Sequence, residues 1–336
     1  MKRMNKIASV LIGIALVLGL IGCSASASNG VGNKRIISIA TVQPENHSIA
    51  IALYAFRDYI EKNLGDKFDI RIFTNSVMGG NSEALELLQM GSLDMVATSG
   101  SNLEAFSNEY KIFSLPYLFK DEASFRKAMN NEDFINEIYN STAENGIKGV
   151  AWFANGVNNF YASKKIETPE DLKGLKIRVQ SSDANVKLVQ AFDAAAVVMA
   201  YGEVYTAMQN HVIDAGTNPE MALVSMKHGE VAKYYSRTEH QIFTDMLVVS
   251  TKFMDSLTEE EKEIFQKGFK RATQVQNEEW DKQTLEVIEE AKKMGVEFIT
   301  VDKKPFEEIQ KPVREELLNM YPKLRPLYDK VQAMQN

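Results

Sequence analysis

The chain alternates between strand-like and helix-like patterns of apolar residues from residue 35 onward. Strand-like runs occupy residues 35–42, 68–74, 148–156, 175–180 and 197–201. Segments with helical spacing lie between them, and the one that starts at Asn81 ends at Gly91 and leads into a further apolar run. Strands separated by helices of about 10–15 residues are typical of parallel α/β units, so we predict an α/β fold.

The N-terminal segment differs from the rest of the chain. Basic residues precede an apolar run at residues 7–21, which is shorter than the roughly 20 residues of a membrane-spanning helix, and we interpret residues 1–22 as a secretory signal peptide. Cys23 is the only cysteine, and "LIGC" resembles the lipobox of bacterial lipoproteins, in which this residue carries a diacylglyceryl group. The resemblance implies an extracytoplasmic protein anchored by lipid to the cell membrane, with residues 23–34 as a flexible tether. The alternative is that Cys23 is an incidental residue.

The remaining part of about 300 residues is too long for one ordinary core, and it predicts two lobes. A helical pattern from Thr258 to Gly295 opens with a Thr258-x-x-Glu261 capping box and closes with lysines and a glycine. Such a helix would be about 55 Å long, so we expect it to bridge both lobes. A break near Gly268 or Asn277 would instead give two ordinary helices. The expected lobe boundaries are residues 35–155 with 244–282, and residues 156–243 with 283–336.

Composition and motifs exclude several classes of function. The net charge is −7 and basic residues are not gathered into one patch, which argues against nucleic acid as a partner. Common catalytic and nucleotide-binding motifs are absent from the sequence, and the four histidines lack the spacing of a metal pair, so no enzyme, cofactor or metal is predicted. His47 is the histidine with a candidate ligand role, because it follows the first strand, where α/β folds bind ligands.

Arg178 is the most informative polar residue. It lies in the strand pattern "LKIRVQ", on the face opposite Ile177 and Val179. Its side chain lies either on a solvated strand face or in a cleft, where it would bind an anion. The strand pattern by itself leaves both readings open.

Four segments carry a resemblance to a known family. They are "LELLQMGSLDM" at residues 85–95, "FSLPYLF" at 113–119, "TPEDLKGLKIRV" at 168–179 and "YGEVYTAMQNHVIDAGTNP" at 201–219. Together they resemble the solute-binding subunits of tripartite ATP-independent periplasmic (TRAP) transporters, and the similarity covers nearly all of the chain after residue 35. The resemblance implies a two-lobed, periplasmic-binding-protein-like α/β fold with hinge strands. It also implies capture of a small organic carboxylate for a membrane permease.

The resemblance also implies roles for particular residues. Arg178 matches the family arginine that forms a two-pronged salt bridge with the ligand carboxylate, a geometry that lysine cannot offer. Asn218 matches an asparagine that binds the same carboxylate, and Tyr201 an aromatic residue of the pocket; the alternatives are a turn residue and a core residue. Further expected ligand-binding positions are Gln180, which shares the face of Arg178, and, more loosely, Glu83 and Ser99.

The chain departs from the family pattern at two places. Many members have an arginine where this chain has Asn158, so a second carboxylate is less well served, and a sugar acid that hydrogen-bonds Asn158 is favoured over a C4-dicarboxylate or another monocarboxylate. Ala215 and Gly216 replace residues that are common in the family, which leaves the local pocket shape open. A ligand-loaded sensor for a membrane receptor kinase is the alternative to transport, and a surface enzyme is a more distant one.

Overall fold

The computed structural model describes residues 34–335. The predicted signal peptide, Cys23 and most of the predicted tether lie outside the described residues. Among residues 34–335, no helix is both long enough and apolar enough to cross a membrane.

The described residues form a mixed α/β fold. The strands are β1 Arg35–Thr41, β2 Phe68–Phe73, β3 Met95–Ser99, β4 Ile147–Ala162, β5 Lys176–Val179, β6 Ala195–Val198, β7 Ala215–Asn218, β8 Tyr234–Ser250 and β9 Glu297–Thr300. The helices are α1 Ser48–Leu64, α2 Asn81–Met90, α3 Glu122–Met129, α4 Glu132–Asn140, α5 Asp183–Gln190, α6 Val204–Gln209, α7 Met221–Ser225, α8 His228–Val231, α9 Thr251–Asp255, α10 Glu259–Lys293, α11 Lys303–Met320 and α12 Leu324–Gln335. Short 3₁₀ turns connect them, at residues Gly100–Ala105, Asn108–Ser114, Ala143–Asn145, Pro169–Leu172 and Tyr201–Glu203. The α/β class predicted from the apolar patterns is confirmed.

All nine strands belong to one sheet, in the order β2-β1-β3-β8-β4-β7-β5-β6, with β9 beside β8. Parallel strands form both ends of this sheet, because β1 pairs with β2 and β3, and β5 pairs with β6 and β7. The two long strands β4 and β8 are antiparallel to each other and run through the middle. They carry the chain from the first half of the sheet, around β1, to the second half, around β5.

The long strands are irregular where they pass between the halves. Their pairing shifts register between Gly149 and Ala151, between Ala154 and Gly156, and between Asn158 and Phe160. A bulge bends its strand and changes the direction of the following side chains. The bulges therefore allow the two strands to leave one half of the sheet and enter the other at a different angle.

Each half has its own apolar core. In the first half, Phe56 of α1 stacks on Phe269 of α10 with 5.2 Å between ring centroids. In the second half, Phe192 meets Phe160 of β4 edge to face at 6.0 Å, beside buried Ile177 of β5.

Helix α10 is continuous and 35 residues long. Thr258 and Glu261 form the predicted capping box, with Thr258 N donating to Glu261 Oε2 at 2.9 Å. Gly268 does not break the helix; a Cβ there would lie 3.0 Å from the Phe56 ring, so the missing side chain lets α1 approach closely. Phe265 packs in the core of the first half and Ala291 in that of the second. The expected helix that bridges both lobes is confirmed.

The C-terminal helix α12 packs on α3 of the first half through buried Leu324, Leu327 and Val331. The lobe boundaries expected from the sequence stay a prediction. This contact gives the end of the chain, which was expected in the second lobe, a partner in the first.

Candidate functional site

A cavity of about 360 Å³ lies where the two halves of the sheet meet. Its walls come mostly from the carboxyl ends of parallel strands and the segments that follow them: β1, β2 and β3 on one side, and β5, β6 and β7 on the other. Asn155 of β4 and Asp245 of β8 also line it. Side chains and backbone dipoles converge at that edge of a parallel sheet, which is why α/β folds place ligands there. The cavity includes seven of the eight residues expected at the ligand site, namely His47, Glu83, Ser99, Arg178, Gln180, Tyr201 and Asn218.

Arg178 lies in the wall of the second half and is only 3% exposed. Its Nε and Nη2 both donate to the carbonyl oxygen of Met199, at 3.2 and 3.1 Å, and this fixes the plane of the guanidinium. Nη1 is buried without a hydrogen-bond partner among the described residues. Burial lowers the pKa of Arg178, and the phenol of Tyr201 lies beneath it, with 5.8 Å from guanidinium carbon to ring centroid. The strand face that carries Arg178 is thus not solvated, and one donor of a buried cation is free.

Asn218 is held next to Arg178 by a buried polar chain. Its Nδ2 donates to the hydroxyl of Tyr161 at 3.2 Å, and that hydroxyl lies 2.9 Å from Nδ1 of His228. Burial, with a further contribution from the charge of Arg178, lowers the pKa of His228 to about 3, so the ring is neutral. Gly216 makes this arrangement possible, because a Cβ there would lie 2.5 Å from the Tyr161 hydroxyl. The departure from the family pattern at this position therefore accommodates a tyrosine beside the site.

Gln180 and Ser99 are linked by hydrogen bonds through Ser101. The hydroxyl of Ser101 bonds both the carbonyl oxygen of the Gln180 side chain and, at 3.1 Å, the hydroxyl of Ser99. Ser99 ends β3 of the first half, and Gln180 follows β5 of the second. This chain of hydrogen bonds joins the two walls of the cavity.

His47 caps helix α1 from the cavity wall. Its Nδ1 accepts the backbone N–H of Ile49 at 3.2 Å, and its ring is tilted against Trp280. Burial lowers the pKa of His47 to about 4. A neutral ring that accepts at Nδ1 carries its proton on Nε2, so His47 offers the cavity a hydrogen-bond donor without a charge.

Glu83 lies on the exposed rim, in the first turn of α2. Gly79 and Gly80 pass close to its side chain, and a Cβ on Gly80 would also lie 3.8 Å from Ala200 of the other wall. Because these residues are small, the two walls approach each other closely beside this carboxylate, and the entrance is narrow there.

Asn158 is where the structure differs from the expectation, since its side chain does not line the cavity. It is fully buried in the core of the long strands, where Nδ2 lies 3.1 Å from Nε2 of His240 and donates to Oε1 of Gln241, also at 3.1 Å. The bulge between Ala154 and Gly156 shifts the alternation of β4, so Asn155 lines the cavity instead. The sequence pattern gave no indication of this shift.

Asp245 is the main site residue that sequence reasoning missed. It lies in the middle of β8, is 3% exposed, and accepts a hydrogen bond from Asn155 Nδ2 at 2.9 Å. Burial raises the pKa of Asp245 to about 6. A single carboxylate inside the otherwise uncharged run "QIFTDMLVVS" was a signal that could have identified it, because a charge is costly to bury.

The charges around the cavity are unequal. Three carboxylates line it, those of Glu83, Glu203 and Asp245, whereas Arg178 is the one permanent cation among the lining residues. No group of acidic, histidine or cysteine side chains in the described part of the chain has metal-binding geometry. The site therefore suits a ligand with one anionic group and many hydrogen-bond donors.

The chain is similar to a known protein family and to several of its members. A model of the bacterial extracellular solute-binding proteins, family 7, matches residues 39–323. An uncharacterized protein of Salmonella typhimurium, YiiZ, is 34% identical over 321 residues, which cover 95% of this chain and 97% of that protein. The C4-dicarboxylate-binding periplasmic protein DctP of Vibrio cholerae is 30% identical over 80% of each chain.

The fold is also similar to solved structures. A crystal structure of a TRAP periplasmic solute-binding protein from Anaerococcus prevotii, with bound D-glucuronate, superimposes with a TM-score of 0.88. The sequences are 39% identical, and the match covers 90% of this chain and 98% of that one.

Proposed function

Because this chain belongs to family 7 of the bacterial extracellular solute-binding proteins, we propose that it captures a hexuronate, a sugar acid, in the cavity between its two halves. The role is binding for transport rather than catalysis. The observation that carries the proposal is Arg178, a buried cation with one donor that has no partner among the described residues, in a cavity whose other polar lining groups are carboxylates and neutral side chains.

The carboxylate of the ligand is assigned to Arg178 and Asn218. The guanidinium is already oriented by Met199, so little side-chain entropy is lost when a carboxylate binds. A charge-assisted pair in a site closed to water is worth more than the roughly 0–1 kcal/mol of an exposed ion pair. Tyr201 supports the same guanidinium from below.

The hydroxyl groups of the ligand are assigned to the remaining polar lining. Gln180, Ser99 and the neutral His47 offer both donors and acceptors to neutral hydroxyls. A C4-dicarboxylate would bring a second negative charge into a cavity that already holds three carboxylates and one permanent cation. The D-glucuronate bound to the Anaerococcus prevotii protein gives the sugar-acid class independent support.

Delivery completes the proposal. The two halves close on the ligand as β4 and β8 bend at their bulges, and the closed form docks on the membrane permease of a TRAP transporter. A lipid on Cys23 would hold the protein at the outer face of the cell membrane once residues 1–22 are removed. Mass spectrometry of the mature N-terminus tests the lipid separately from ligand binding.

Ligand class is tested by thermal unfolding and calorimetry with D-glucuronate, D-galacturonate, succinate and pyruvate. A uronate present at 100 times its Kd should raise the melting temperature by about 5 °C, because it binds the folded state alone. Stabilisation by succinate with no effect of either uronate would overturn the sugar-acid assignment in favour of a dicarboxylate. No response to any acid would overturn the role of Arg178 as well.

A further inference from the structure

One face of the central strands changes from apolar to polar at the cavity. On β8, Leu247 and Val249 lie in the core of the first half, and Asp245 is the next residue on that face. On the neighbouring strand β3, Ala97 lies in the same core and Ser99 is next on its face; the two strands pair Ser99 with Asp245. The cover of α1 and α10 ends here, so both polar residues meet the cavity.

Asn155 joins them through a bulge in the backbone of β4. It is the extra residue of the bulge that precedes Gly156, whose φ is +82°. A Cβ at Gly156 would lie 2.7 Å from the Trp280 ring and 3.4 Å from Pro219, so this position requires glycine. The bulge turns the Asn155 side chain toward Asp245, where Nδ2 donates to Oδ1.

We infer that Asp245 and Asn155 bind the hydroxyl groups of the ligand and exclude a second carboxylate. This specificity role rests on the proposed capture of a uronate. Asp245 lies on a strand of the first half, whereas Arg178 lies on β5 of the second. The ligand is thus bound by its acid end at one wall and by its hydroxyl end at the other.

The chemistry of the two groups supports this division. An ionised carboxylate only accepts hydrogen bonds, so it pairs with a hydroxyl that donates and repels a carboxylate that also only accepts. Asn155 is the one hydrogen-bond partner of the Asp245 carboxylate among the described residues, which leaves most of the acceptor capacity of this buried group unused. A purely structural role would require a fuller set of partners, because an undersatisfied buried charge is destabilising.

Asp245→Asn tests the inference, since it removes the charge and keeps the shape. Calorimetry should show that the affinity for D-glucuronate falls at least about tenfold, the loss expected for one hydrogen bond to a charged group. The affinity for succinate should rise at least about fivefold, because a repulsive charge is removed. If the asparagine variant fails to fold, Asp245→Ser is the second test, because it removes the carboxylate and leaves a small polar group. It should change both affinities in the same directions.

Asp94→Asn is the matched control. Asp94 precedes β3 at the end of that strand away from the cavity, and its carboxylate accepts the backbone N–H of Ser38 at 2.9 Å. This variant should bind both acids as the unmodified protein does. Unchanged binding of D-glucuronate and succinate by folded Asp245 variants would overturn the inference and leave the proposed function intact. If the unmodified protein binds no uronate, it is the proposed function that fails.

Discussion

Two groups of buried charges lie between the halves of this protein, and they differ in how completely their hydrogen-bonding groups are paired. Glu104 accepts hydrogen bonds from Ser182 at 2.7 Å, from Ser114, and from Lys111 at 3.3 Å. Lys111 also pairs with Asp183 at 2.5 Å. In the cavity, Arg178 and Asp245 are buried as deeply. Among residues 34–335, however, one Arg178 donor has no partner and the Asp245 carboxylate has a single one.

The difference separates a structural contact from a binding site. The charges around Glu104 belong to both halves and satisfy one another, so they hold Ser182 of the second half against the first. The cavity charges do not satisfy one another, and within the described residues no ion pair joins Arg178 to a carboxylate. Uncompensated buried charge costs free energy unless a ligand supplies the missing partner. The incomplete group is therefore the functional one.

The largest effect is expected for Arg178→Ala. Loss of the buried guanidinium should weaken D-glucuronate binding by about 2–5 kcal/mol, a loss of about 30-fold or more, measured by calorimetry. The ligand-free variant should unfold at the same temperature or higher, because an unpaired buried charge has been removed.

Arg71→Ala is the control for that variant, since Arg71 is an exposed arginine paired with Asp69. It should bind like the unmodified protein. An Arg178→Ala protein that keeps its affinity to within threefold would show that the incomplete pairing has no functional meaning.

The second-largest effect is expected at the bulge that directs the Asn155 side chain toward Asp245. Gly156→Ala should destabilise the protein by about 1–2 kcal/mol for the left-handed backbone and by about 1–3 kcal/mol more for the contact with Trp280. It should also weaken uronate binding, because the bulge must shift. Urea unfolding and calorimetry measure the two effects.

Gly146→Ala separates strain from contact. Gly146 has a φ of +78°, but a Cβ there would meet nothing within 4 Å. This variant should show the smaller, backbone part of the destabilisation and full ligand affinity. Equal losses in the two glycine variants would contradict the role of the Trp280 contact.

A pH effect on stability is expected from Glu104, in the group whose charges are paired. Burial raises the pKa of Glu104 to about 7, although three donors face its carboxylate. The folded state then holds the proton more tightly than the unfolded state, so this contribution to stability is fully present below pH 4.5 and is lost as the pH rises through 7. The free energy of unfolding of the unmodified protein should fall between pH 5 and 8. In Glu104→Gln this fall should be smaller by about 1–3 kcal/mol.

Glu109→Gln is the control with the opposite sign. Hydrogen bonds from Lys323 and Ser107 lower the pKa of Glu109 against the effect of its partial burial. Its contribution to stability is therefore already complete above pH 4.5, and the slope between pH 5 and 8 should not change. Urea unfolding of ligand-free protein at both pH values gives the comparison, and an identical slope in Glu104→Gln would contradict the raised pKa of Glu104.

The smallest effect on binding is expected for Asn158→Ala. The substitution removes the hydrogen bonds to His240 and Gln241, and should destabilise the fold by about 1–3 kcal/mol. The affinity for D-glucuronate should change less than about twofold, whereas Asn218→Ala in the cavity should lower it at least about fivefold. A loss of affinity in Asn158→Ala equal to that in Asn218→Ala would return Asn158 to the ligand site.

Local patterns in the sequence determined much of this protein. The alternating strands and helices and the capping box at Thr258 follow from short-range chemistry, whereas the sequence left a break in α10 near Gly268 or Asn277 open. The strand that carries Arg178 also followed from its alternating pattern, although that pattern left open whether Arg178 faces solvent or a cleft. These features depend on neighbours along the chain, which a single sequence displays.

The side chains that the two long strands contribute to the cavity could not be predicted from local patterns. The bulge at Asn155 shifts the side-chain alternation of β4, so Asn155 lines the cavity and Asn158 does not. Asp245 acquires its role from strands β3 and β4, which are distant in sequence. A one-residue shift in register moves side chains to the opposite face of a sheet. Register is set by pairing between distant segments, and that pairing exists only in the folded chain.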